Sequence, residues 1–548
     1  MSEIVELRGG VYHDSVTLLR ISQAVTDADG VTAAQVAMAT PLNMELAIGL
    51  GFAIPDGAGP NDLLVAIRGN DDAAVASGLA ALDAALAAAE AAGRMSGGFG
   101  DAEPPRTVRT AATQNPDAGV VLLSIPGPSV IGEAMDAIGA GRHVMIFSDN
   151  VPIEHEIALK DAAAAAGVLV MGPDCGTAIV GGVGLGFANV VRSDVSAGSV
   201  PTVGIIAASG TGAQELTCLL DEAGVPISAV LGLGGRDMSE RIGGRSALAA
   251  LKMMQADPAT DHILIVSKPP YPATAEKVLA AAAAGPKPVT TVLLGAGQPD
   301  LTMAAENVLA AIGVAAPAWP YWSADDGIHP SAGSLRGLYS GGTLADEAML
   351  IAGEILGDIH SNIPLRPELA LPASALGHGL PQLTGLGHVI VDLGDDEFTQ
   401  GRPHPMIDPS VKLDLLAAQA ADSSVTVILL DVVLGYGSDP DPAGRLAPAI
   451  GDAISAAATA GRDLTVIVSL CGSAADPQNR EAVATALAHA GADVYLSNAA
   501  AARAAAHAAR GESAAATAPA AAAKVRADSL GADAIASAPA QSVRTSSG

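Results

Sequence analysis

The first 94 residues alternate short runs of β-branched residues with longer amphipathic segments rich in Ala and Leu. Three apolar runs, IVELRG, TAAQVAMA and DLLVAIRG, have the composition of strands, whereas DSVTLLRISQAV and DAAVASGLAALDAALAAAEAA have that of helices. This pattern predicts a small α/β module over residues 1–94. The Gly- and Pro-rich stretch MSGGFGDAEPP that follows is typical of a linker.

Three later regions show buried strands alternating with helix-like stretches. Their strand-like runs are GVVLLSIPGP, HVMIFSDN and VLVMGPDCGT at residues 106–195, VGIIAAS, AVLGLGG, HILIVSKPP and VTTVLLGAG at 201–318, and HVIVDLGDD, VTVILLDVV, LTVIVSL and ADVYLSN at 333–510. This alternation predicts parallel sheets with crossover helices. SDVSAGSVP and WPYWSADDGIHPSAGS predict linkers, or in the second case a loop between domains. The Ala/Ser/Pro/Thr tail at 511–548 predicts disorder.

Composition narrows the class of protein. The 548 residues suggest three or four domains, and half of them are hydrophobic, which excludes wholesale disorder. The net charge of −30 argues against nucleic acid as a partner, because phosphate contacts need clustered Lys and Arg. We therefore expect any anion to be bound locally, by backbone amides and a few basic groups.

Redox and targeting signals favour a cytoplasmic location. Cys175, Cys218 and Cys471 are far apart and odd in number, without a CxxC pair, which predicts neither a disulfide framework nor a zinc site. The first residues, MSEIVELRGG, lack the basic and apolar regions of a signal peptide. Because Asp83 and Glu90 interrupt the most apolar helix-like stretch, we expect an ordinary helix there and no membrane span.

Two glycine-threonine turns carry the strongest functional signal. VGIIAASGTGAQEL and RGLYSGGTLADEA each contain a Ser-Gly step, then a Thr, then an acid four residues on, Glu215 or Glu347. Small residues let backbone N–H groups approach an anion, and a helix start favours negative charge. We predict that the two helix starts hold one phosphate or carboxylate group; two ordinary strand-to-helix turns are the alternative. The predicted binding residues are Ser209, Gly210, Thr211, Gly212, Ser340, Gly341, Gly342 and Thr343.

Further candidates stand where predicted strands end, since ligands of parallel sheets bind at the carboxyl ends of the strands. Asp174 in GPDCGT, and Gly234 and Gly235 in GLGGRD, are predicted phosphate or substrate contacts. Lys268 in SKPP is a candidate for contacting an acyl or phosphate oxygen, with a surface lysine as the alternative. Candidate Mg²⁺ ligands in DLGDD, or alternatively a solvated strand end, are Asp392, Asp395 and Asp396.

The segment GRPHPMIDP presents a histidine between two prolines, which hold its backbone extended. His404 has Arg402 and Asp408 nearby in sequence, so that a general base, a phosphate contact and a nucleophile are all candidate roles. The alternative is a rigid loop whose histidine bonds to a carbonyl group.

These blocks resemble those of the FdrA family, within the succinyl-CoA synthetase superfamily. GPDCGT, ASGTGAQE, GLGGRD, SKPP, LYSGGTLADEA, DLGDD, GRPHPMIDP and LLDVVLGYG recur as family-like blocks in this order. The resemblance implies a multidomain α/β chain in which a Rossmann-like CoA-binding-type domain at 106–195 follows the N-terminal module. Two flavodoxin-like domains are then implied, one like the ligase domain of the synthetase α subunit at 201–318 and one like the carboxyl domain of the β subunit at 333–510.

In the synthetases, the two corresponding helix starts face one phosphorylated histidine. The resemblance therefore implies that the two glycine-threonine turns surround a phosphoryl or acyl-phosphate group. The chain also departs from the synthetases, because VTTVLLGAG is followed by QPDLTMAAENV, which has no histidine, and SKPP replaces an acidic glycine-rich stretch. A CoA-receiving Gly-x-Thr-Gly-x-x-Gly turn and a nucleotide-grasping domain ahead of residue 333 are absent from the sequence. These departures argue against a complete ATP-dependent CoA ligase.

Some members of the resembled family are similar in role to a subunit of oxamate carbamoyltransferase in ureide degradation. This implies carbamoyl transfer between oxalurate and phosphate, with phosphate or carbamoyl phosphate as substrate, Mg²⁺ as an optional ion and CoA not expected. Thr211 and Thr343 would hold the phosphoryl group, while His404 and Arg402 orient or deprotonate the acceptor. We expect a small anionic metabolite and a hetero-oligomer with operon-encoded subunits. The alternatives are a synthetase-type ligase with its nucleotide site on a partner, and a non-catalytic anion-binding scaffold.

Overall fold

The computed structural model describes residues 2–9, 15–55, 57–59, 62–95, 105–191, 200–324, 328–376, 380–399, 403–512 and 523–525. Most of the predicted linkers at 95–105 and 193–201 lies outside these residues, as does nearly all of the predicted tail at 511–548.

The N-terminal part is built on a three-stranded antiparallel sheet in the order β1–β3–β2. Its elements are β1 (Ser2–Gly9), α1 (Ser15–Thr26), β2 (Val31–Met38), α2 (Pro41–Gly49), β3 (Asp62–Gly69) and α3 (Asp72–Met95). The three predicted strands and two predicted helices are present, and α2 is additional. Within the described chain only α3 is long and apolar enough to cross a membrane, over Asp72–Ala89. Its Leu82 is buried in one core cluster with Leu63 and Ile67 of β3.

A second, three-stranded sheet is parallel, in the order β4–β5–β6. Its strands alternate with helices, as the sequence predicts. The elements are α4 (Val108–Gln114), β4 (Val120–Leu123), α5 (Val130–Gly139), β5 (His143–Ile146), α6 (Ile153–Ala166) and β6 (Val170–Met171).

The third sheet has six strands in the order β12–β11–β9–β10–β7–β8. Its elements are β7 (Thr177–Val180), β8 (Val183–Gly186), β9 (Val203–Ala208), α7 (Gly210–Glu222), β10 (Ile227–Gly232), α8 (Arg245–Ala256), β11 (His262–Ser267), α9 (Pro272–Ala284), β12 (Val289–Leu293) and α10 (Leu301–Ala311). Strands β9 to β12 are parallel and follow the flavodoxin order 2-1-3-4. Gly181 and Gly182, both at positive φ, close a β7–β8 hairpin that the sequence analysis did not predict. The hairpin pairs antiparallel with β10, although its residues precede the predicted linker.

The fourth sheet has eight strands in the order β15–β16–β14–β17–β18–β19–β13–β20. Its elements are β13 (Pro320–Trp322), β14 (Ser334–Tyr339), α11 (Gly342–Leu356), β15 (Ile359–His360), β16 (His388–Asp392), α12 (Asp396–Thr399), α13 (Ser410–Ala421), β17 (Val425–Val433), α14 (Pro442–Thr459), β18 (Thr465–Cys471), α15 (Arg480–His489), β19 (Ala492–Tyr495), α16 (Asn498–Ala509) and β20 (Ala523–Val525). Strands β14 and β16 to β19 are parallel in the flavodoxin order 2-1-3-4-5, so the multidomain α/β class is confirmed.

Two elements of the eight-stranded sheet differ from the prediction. The segment predicted as a linker at 319–334 begins with β13, which pairs antiparallel with β19. Burial explains the difference, since the Trp322 side chain is 2% exposed and its Nε1–H donates to Glu481 at 2.7 Å. Strand β20, which pairs parallel with β13, lies within the tail predicted to be disordered.

The two larger sheets share one hydrophobic core. A single cluster of buried residues joins Leu216 and Leu219 of α7 with Leu344 and Ala348 of α11 and with Ala502 of α16. Helices α7 and α11 therefore pack in the same interior, and this packing fixes the position of the turns that precede them.

Candidate functional site

Each glycine-threonine turn lies at the switch point of a flavodoxin-like sheet. Strand β9 runs between β10 and β11, and strand β14 runs between β16 and β17. The chain leaves β9 toward β10 but leaves β11 toward β12 on the other side, and it likewise leaves β14 toward β16 but β17 toward β18. Opposite departures of this kind open a crevice between the carboxyl ends of two adjacent strands. Ser209 follows β9 directly and Ser340 follows β14 directly. The sequence-predicted turns thus occupy the positions where such sheets bind ligands.

The two turns are in direct contact. Ser209 Oγ donates a hydrogen bond to Thr343 Oγ1 at 2.5 Å, across 134 residues of chain. A Cβ built on Gly341 would lie 2.2 Å from Thr211 Cγ2, and one built on Gly212 would lie 3.0 Å from Thr343 Cγ2. Each threonine therefore packs against a glycine of the opposite turn. The structure brings the two predicted helix starts together, while their binding of an anion stays a prediction.

The two helix starts are capped differently. Ser209 is the N-cap of α7, and its Oγ accepts the Gly212 N–H at 2.9 Å. Gly341 is the N-cap of α11, and none of the described side chains caps that helix. Ser340, one residue earlier, instead accepts a hydrogen bond at Oγ from Lys412 Nζ at 2.6 Å. The amides that begin α11 are therefore the more available of the two sets.

Lys268 and two acids lie beside the start of α11. A Cβ built on Gly342 would lie 2.5 Å from Lys268 Nζ and 2.9 Å from Asp392 Oδ2. Lys268 Nζ is also 3.9 Å from Asp346 Oδ2. Burial raises the pKa of Asp392 to about 7 and that of Asp346 to about 6, and the Lys268 ammonium opposes both increases. One cation and two acids that titrate near neutrality thus flank free helix amides.

His404 lies across Gly394 from the turn of Ser340. A Cβ built on Gly394 would lie 2.5 Å from the Ser340 carbonyl oxygen and 2.8 Å from His404 Nε2. The Met406 N–H donates to His404 Nδ1 at 3.2 Å, so that in the neutral ring Nε2 carries the proton. Desolvation lowers the pKa of His404 to about 4, with Asp431 opposing the decrease and Lys412 adding to it. His404 is therefore a neutral N–H donor at physiological pH.

The other members of the His404 segment lie elsewhere. Arg402 is outside the described residues. The Asp408 carboxylate accepts from Arg445 Nη1 at 2.8 Å and from Ser410 Oγ at 2.6 Å. Asp408 therefore stabilises the start of α13. Although it is close to His404 in sequence, its carboxylate bonds to Arg445 and Ser410 and does not form an acid–base pair with the histidine.

Asp174, Gly234 and Gly235 form a second group, at the end of β10 and one strand away from β9. A Cβ built on Gly234 would lie 2.0 Å from the Pro173 carbonyl oxygen, and one built on Gly235 would lie 3.7 Å from Asp174 Oδ2. Asp174 and Gly234 both have positive φ, of 55° and 81°. The two loops are thus packed backbone against backbone, and a role in phosphate or substrate binding stays a prediction.

Of the predicted Mg²⁺ ligands, Asp392 and Asp395 make local hydrogen bonds, and the Asp396 side chain lies outside what the structure describes. Asp392 Oδ1 accepts the Gly394 N–H at 2.9 Å, and Asp395 Oδ1 accepts the Glu397 N–H at 3.1 Å. No three His, Cys, Asp or Glu side chains in the part of the chain that the structure describes are grouped as a metal ion would require. Binding of Mg²⁺ therefore stays a prediction, which a phosphate-bound complex would test.

Lys412 and Asp431 were not predicted from the sequence as site residues. Both side chains are buried, and Lys412 Nζ donates to Asp431 Oδ1 at 2.5 Å. Asp431 gave a usable signal, because a lone acid in the apolar strand VTVILLDVV needs a partner when it is buried. Lys412 gave none, since a single lysine in an amphipathic helix is ordinarily exposed.

Residues 338–508 match the CoA-ligase family model, and this match supports an enzyme of the acyl-CoA ligase class. The chain belongs to the family of the Escherichia coli (strain K12) protein YahF. The two are 36% identical over 512 residues, which cover 90% of this chain and 95% of YahF. Membership of the FdrA family stays a prediction.

Two ligase subunits align with less than a third of the chain. The alpha subunit of an ADP-forming succinate–CoA ligase from Methanothermobacter thermautotrophicus is 26% identical over 157 residues, 28% of this chain and 50% of that subunit. The ADP-forming sulfoacetate-CoA ligase subunit SauD of Bilophila wadsworthia is 24% identical over 173 residues, 30% of this chain and 54% of SauD. The dinucleotide-forming acetyl-coenzyme A synthetase 1 of Ca. Korarchaeum cryptofilum is 18% identical with a TM-score of 0.28, covering 75% of this chain and 87% of its own.

Residues 1–103 match a model described as AllF, heavy metal-associated domain. This stretch of the chain contains no cysteine and a single histidine, His13, which lies outside the described residues. Soft heavy metals are held chiefly by thiolate ligands, so these residues do not fit such a site.

Proposed function

We propose that this chain is a subunit of an ADP-forming acyl-CoA ligase that handles an acyl phosphate, with the nucleotide site on a partner subunit. The contact between the two glycine-threonine turns carries the proposal, because it brings Lys268 of the six-stranded sheet to the start of α11, where Asp392 and His404 of the eight-stranded sheet also lie. The CoA-ligase match at 338–508 and the similarity to succinate–CoA ligase support the same class of reaction.

In this proposal, the amides at the start of α11 and the Lys268 ammonium hold the phosphoryl oxygens, since both favour negative charge. The His404 Nε2–H donates to the acyl carbonyl oxygen, whose negative charge grows as a nucleophile attacks. Attack by the CoA thiol forms the C–S bond and breaks the bond between the acyl carbon and the phosphate oxygen, which leaves as inorganic phosphate. Asp392, with a pKa of about 7, accepts the thiol proton.

Carbamoyl transfer between oxalurate and phosphate is the second candidate, and two observations favour it. Residues 295–312 contain no histidine to carry a phosphoryl group between sites. Asp392 and Asp346 add carboxylate acceptors beside the anion-binding amides, where they suit the N–H groups of a carbamoyl substrate. In this reaction phosphate oxygen attacks the carbamoyl carbon, and oxamate leaves with the proton.

One set of assays separates these reactions. The purified chain, together with the products of neighbouring genes, is incubated with ATP, CoA and short carboxylates, and separately with oxalurate and inorganic phosphate. We expect ADP release that depends on CoA and on at least one carboxylate. Carbamoyl phosphate formation without CoA would instead favour the transferase. Phosphate binding without turnover in either assay would favour a non-catalytic scaffold.

The Lys268→Met variant tests the anion site. We expect its Kd for inorganic phosphate, measured by isothermal titration, to rise at least about tenfold, or about 1.4 kcal/mol, because one charge-assisted hydrogen bond is lost. Lys252→Met, at an exposed position of α8, is the matched control and should bind phosphate as the parent does. Equal affinities for phosphate in the parent and in Lys268→Met would show that Lys268 does not bind the anion.

His404 variants separate a donor from a base. We expect His404→Gln, which keeps an N–H near the Nε2 position, to retain more turnover than His404→Ala. Since the pKa of His404 is lowered to about 4, the pH profile of kcat should also lack an inflection near 6.5 from this residue. A kcat that falls below pH 6.5 in the parent but not in His404→Gln would show that the histidine acts as a base.

A further inference from the structure

We infer that Lys412 and Asp431 are positioning residues that fix the start of α11 for the reaction proposed above, on which this inference rests. Lys412 lies in α13 and Asp431 in β17, so that neither belongs to the turn they hold. Both side chains contact Ser340, and they would affect the acyl phosphate only by fixing Ser340.

The contacts are unusually complete for one residue of a turn. Asp431 accepts the Ser340 N–H at both carboxylate oxygens, at 2.8 and 2.9 Å. Lys412 Nζ donates to Ser340 Oγ at 2.6 Å, to the Asp431 carbonyl at 2.7 Å and to Asp431 Oδ1 at 2.5 Å. Lys412 is 2% exposed and Asp431 is 0% exposed, so water does not compete for these bonds. The backbone and the hydroxyl of Ser340 are thus both fixed.

The second turn needs such an anchor, whereas the first does not. Ser209 is followed by a single glycine and caps α7 with its own hydroxyl. Ser340 is followed by Gly341 and Gly342, which have wide backbone freedom and no side chain to cap α11. The ion pair therefore fixes the residue before the N-cap without occupying the amides of α11. It directs the Ser340 hydroxyl to Lys412 and leaves the α11 amides available to an anion.

Lys412 and Asp431 also affect His404, at the other end of the site. His404 Nε2 approaches Gly394, which lies against the Ser340 carbonyl, and both Asp431 and Lys412 act on the charge of the imidazole. Displacement of Ser340 would move the α11 amides relative to His404. The acyl phosphate would then be held in a less reactive geometry, even though every group that touches it is still present.

The test neutralises both partners, because removal of one would leave a buried unpaired charge. In the Lys412→Met/Asp431→Asn variant we expect the Kd for inorganic phosphate to rise at least about tenfold and kcat of the proposed reaction to fall further than KM changes. The matched control, Arg480→Met/Glu222→Gln, removes an ion pair of 2.8 Å at the far end of α7. It should keep the parent's Kd and kcat while its melting temperature falls.

Phosphate affinity within twofold of the parent in Lys412→Met/Asp431→Asn would contradict the positioning role and leave the proposed function standing. Failure of the parent chain to bind phosphate would contradict the proposed function, and the positioning role with it. If the double variant does not fold, Ser340→Ala replaces it, since this change removes only the hydroxyl that Lys412 holds. A Kd at least threefold above the parent's supports the role, and an unchanged Kd overturns it.

Discussion

Replacement of Gly341 by alanine is expected to separate the two glycine-threonine turns and abolish most of the activity. The new Cβ would lie 2.2 Å from Thr211 Cγ2 and 2.9 Å from Thr211 Cβ, closer than non-bonded carbon atoms approach. Relief requires α7 and α11 to move apart within a shared core, and overpacking of this kind destabilises by about 1–3 kcal/mol. We expect a lower melting temperature and a loss of turnover of at least about a hundredfold, since catalytic groups tolerate displacements well below 1 Å.

Two comparisons isolate the clash. Gly353 lies in the same helix, and no described atom is within 4 Å of a Cβ built on it, so Gly353→Ala should keep activity and stabilise the helix slightly. The Gly341→Ala/Thr211→Ala double variant removes the methyl and hydroxyl groups that clash. It should therefore recover the melting temperature in part. Full activity of Gly341→Ala alone would show that the contact between the turns is not needed.

The chain is expected to lose stability as the pH rises from 4.5 toward 8, because two buried acids join α7 and α11 to the opposite sheet. Glu215 Oε1 accepts the Asn498 N–H at 2.8 Å, and Glu347 Oε2 accepts Asn498 Nδ2 at 2.7 Å. Glu347 Oε1 also accepts the Leu301 N–H at the start of α10. Each helix thus caps one that belongs to the other sheet, and the two carboxylates lie close enough to repel one another.

The direction of the change in stability with pH follows from the pKa shifts of Glu215 and Glu347. Burial raises the pKa of Glu215 from 4.5 to about 8 and that of Glu347 from 4.5 to about 7, so the folded chain holds more protons than the unfolded chain between these values. This stabilisation is complete below pH 4.5 and is lost as the pH rises through about 8. Each unit of upward shift corresponds to about 1.4 kcal/mol. We expect the melting temperature to fall by several degrees between pH 6 and pH 9.

The Glu215→Gln/Glu347→Gln variant tests this assignment, because it removes both titrations and keeps an acceptor at each position. Its melting temperature should vary less between pH 6 and pH 9 than that of the parent, and it should exceed the parent's at pH 9. Glu354→Gln, at an exposed position of α11, is the control and should follow the parent at both pH values. An unchanged pH dependence in the double variant would assign the effect to other groups.

Much of the fold could be predicted because most strands and helices have a recognisable residue pattern within their own sequence. Continuous Val, Ile and Leu runs such as HILIVS and VTVILLDVV form buried parallel strands, and the helices between them follow from amphipathic spacing. The β7–β8 hairpin was missed although Gly181 and Gly182 mark its turn, since its partner β10 begins some forty residues later along the chain. Strand β13 was missed because its three residues are too few to show a pattern.

Some residues of the candidate site could likewise be predicted from the sequence, and others could not. Ser209, Thr211, Gly341 and Thr343 could be selected from sequence, because small residues at a strand-to-helix turn have a defined physical use. The sequence proximity of Asp408 to His404 was misleading, since Asp408 pairs with Arg445 instead. The two side chains are four residues apart in a turning segment, and packing against α14, which carries Arg445, decides the partner of Asp408.

By itself, the sequence determined where most of the longer strands and helices form and where the two glycine-threonine turns begin helices, because periodicity and turn chemistry act over about ten residues. The tertiary structure alone decided that Lys268 reaches the start of α11 and that Lys412 is buried against Asp431. It also supplied the hydrogen bond by which the two predicted turns meet, from Ser209 to Thr343. These contacts join residues brought together by the packing of two sheets on one core. Burial, a property of the whole assembly of elements, then sets which charges pair and which acids hold their protons.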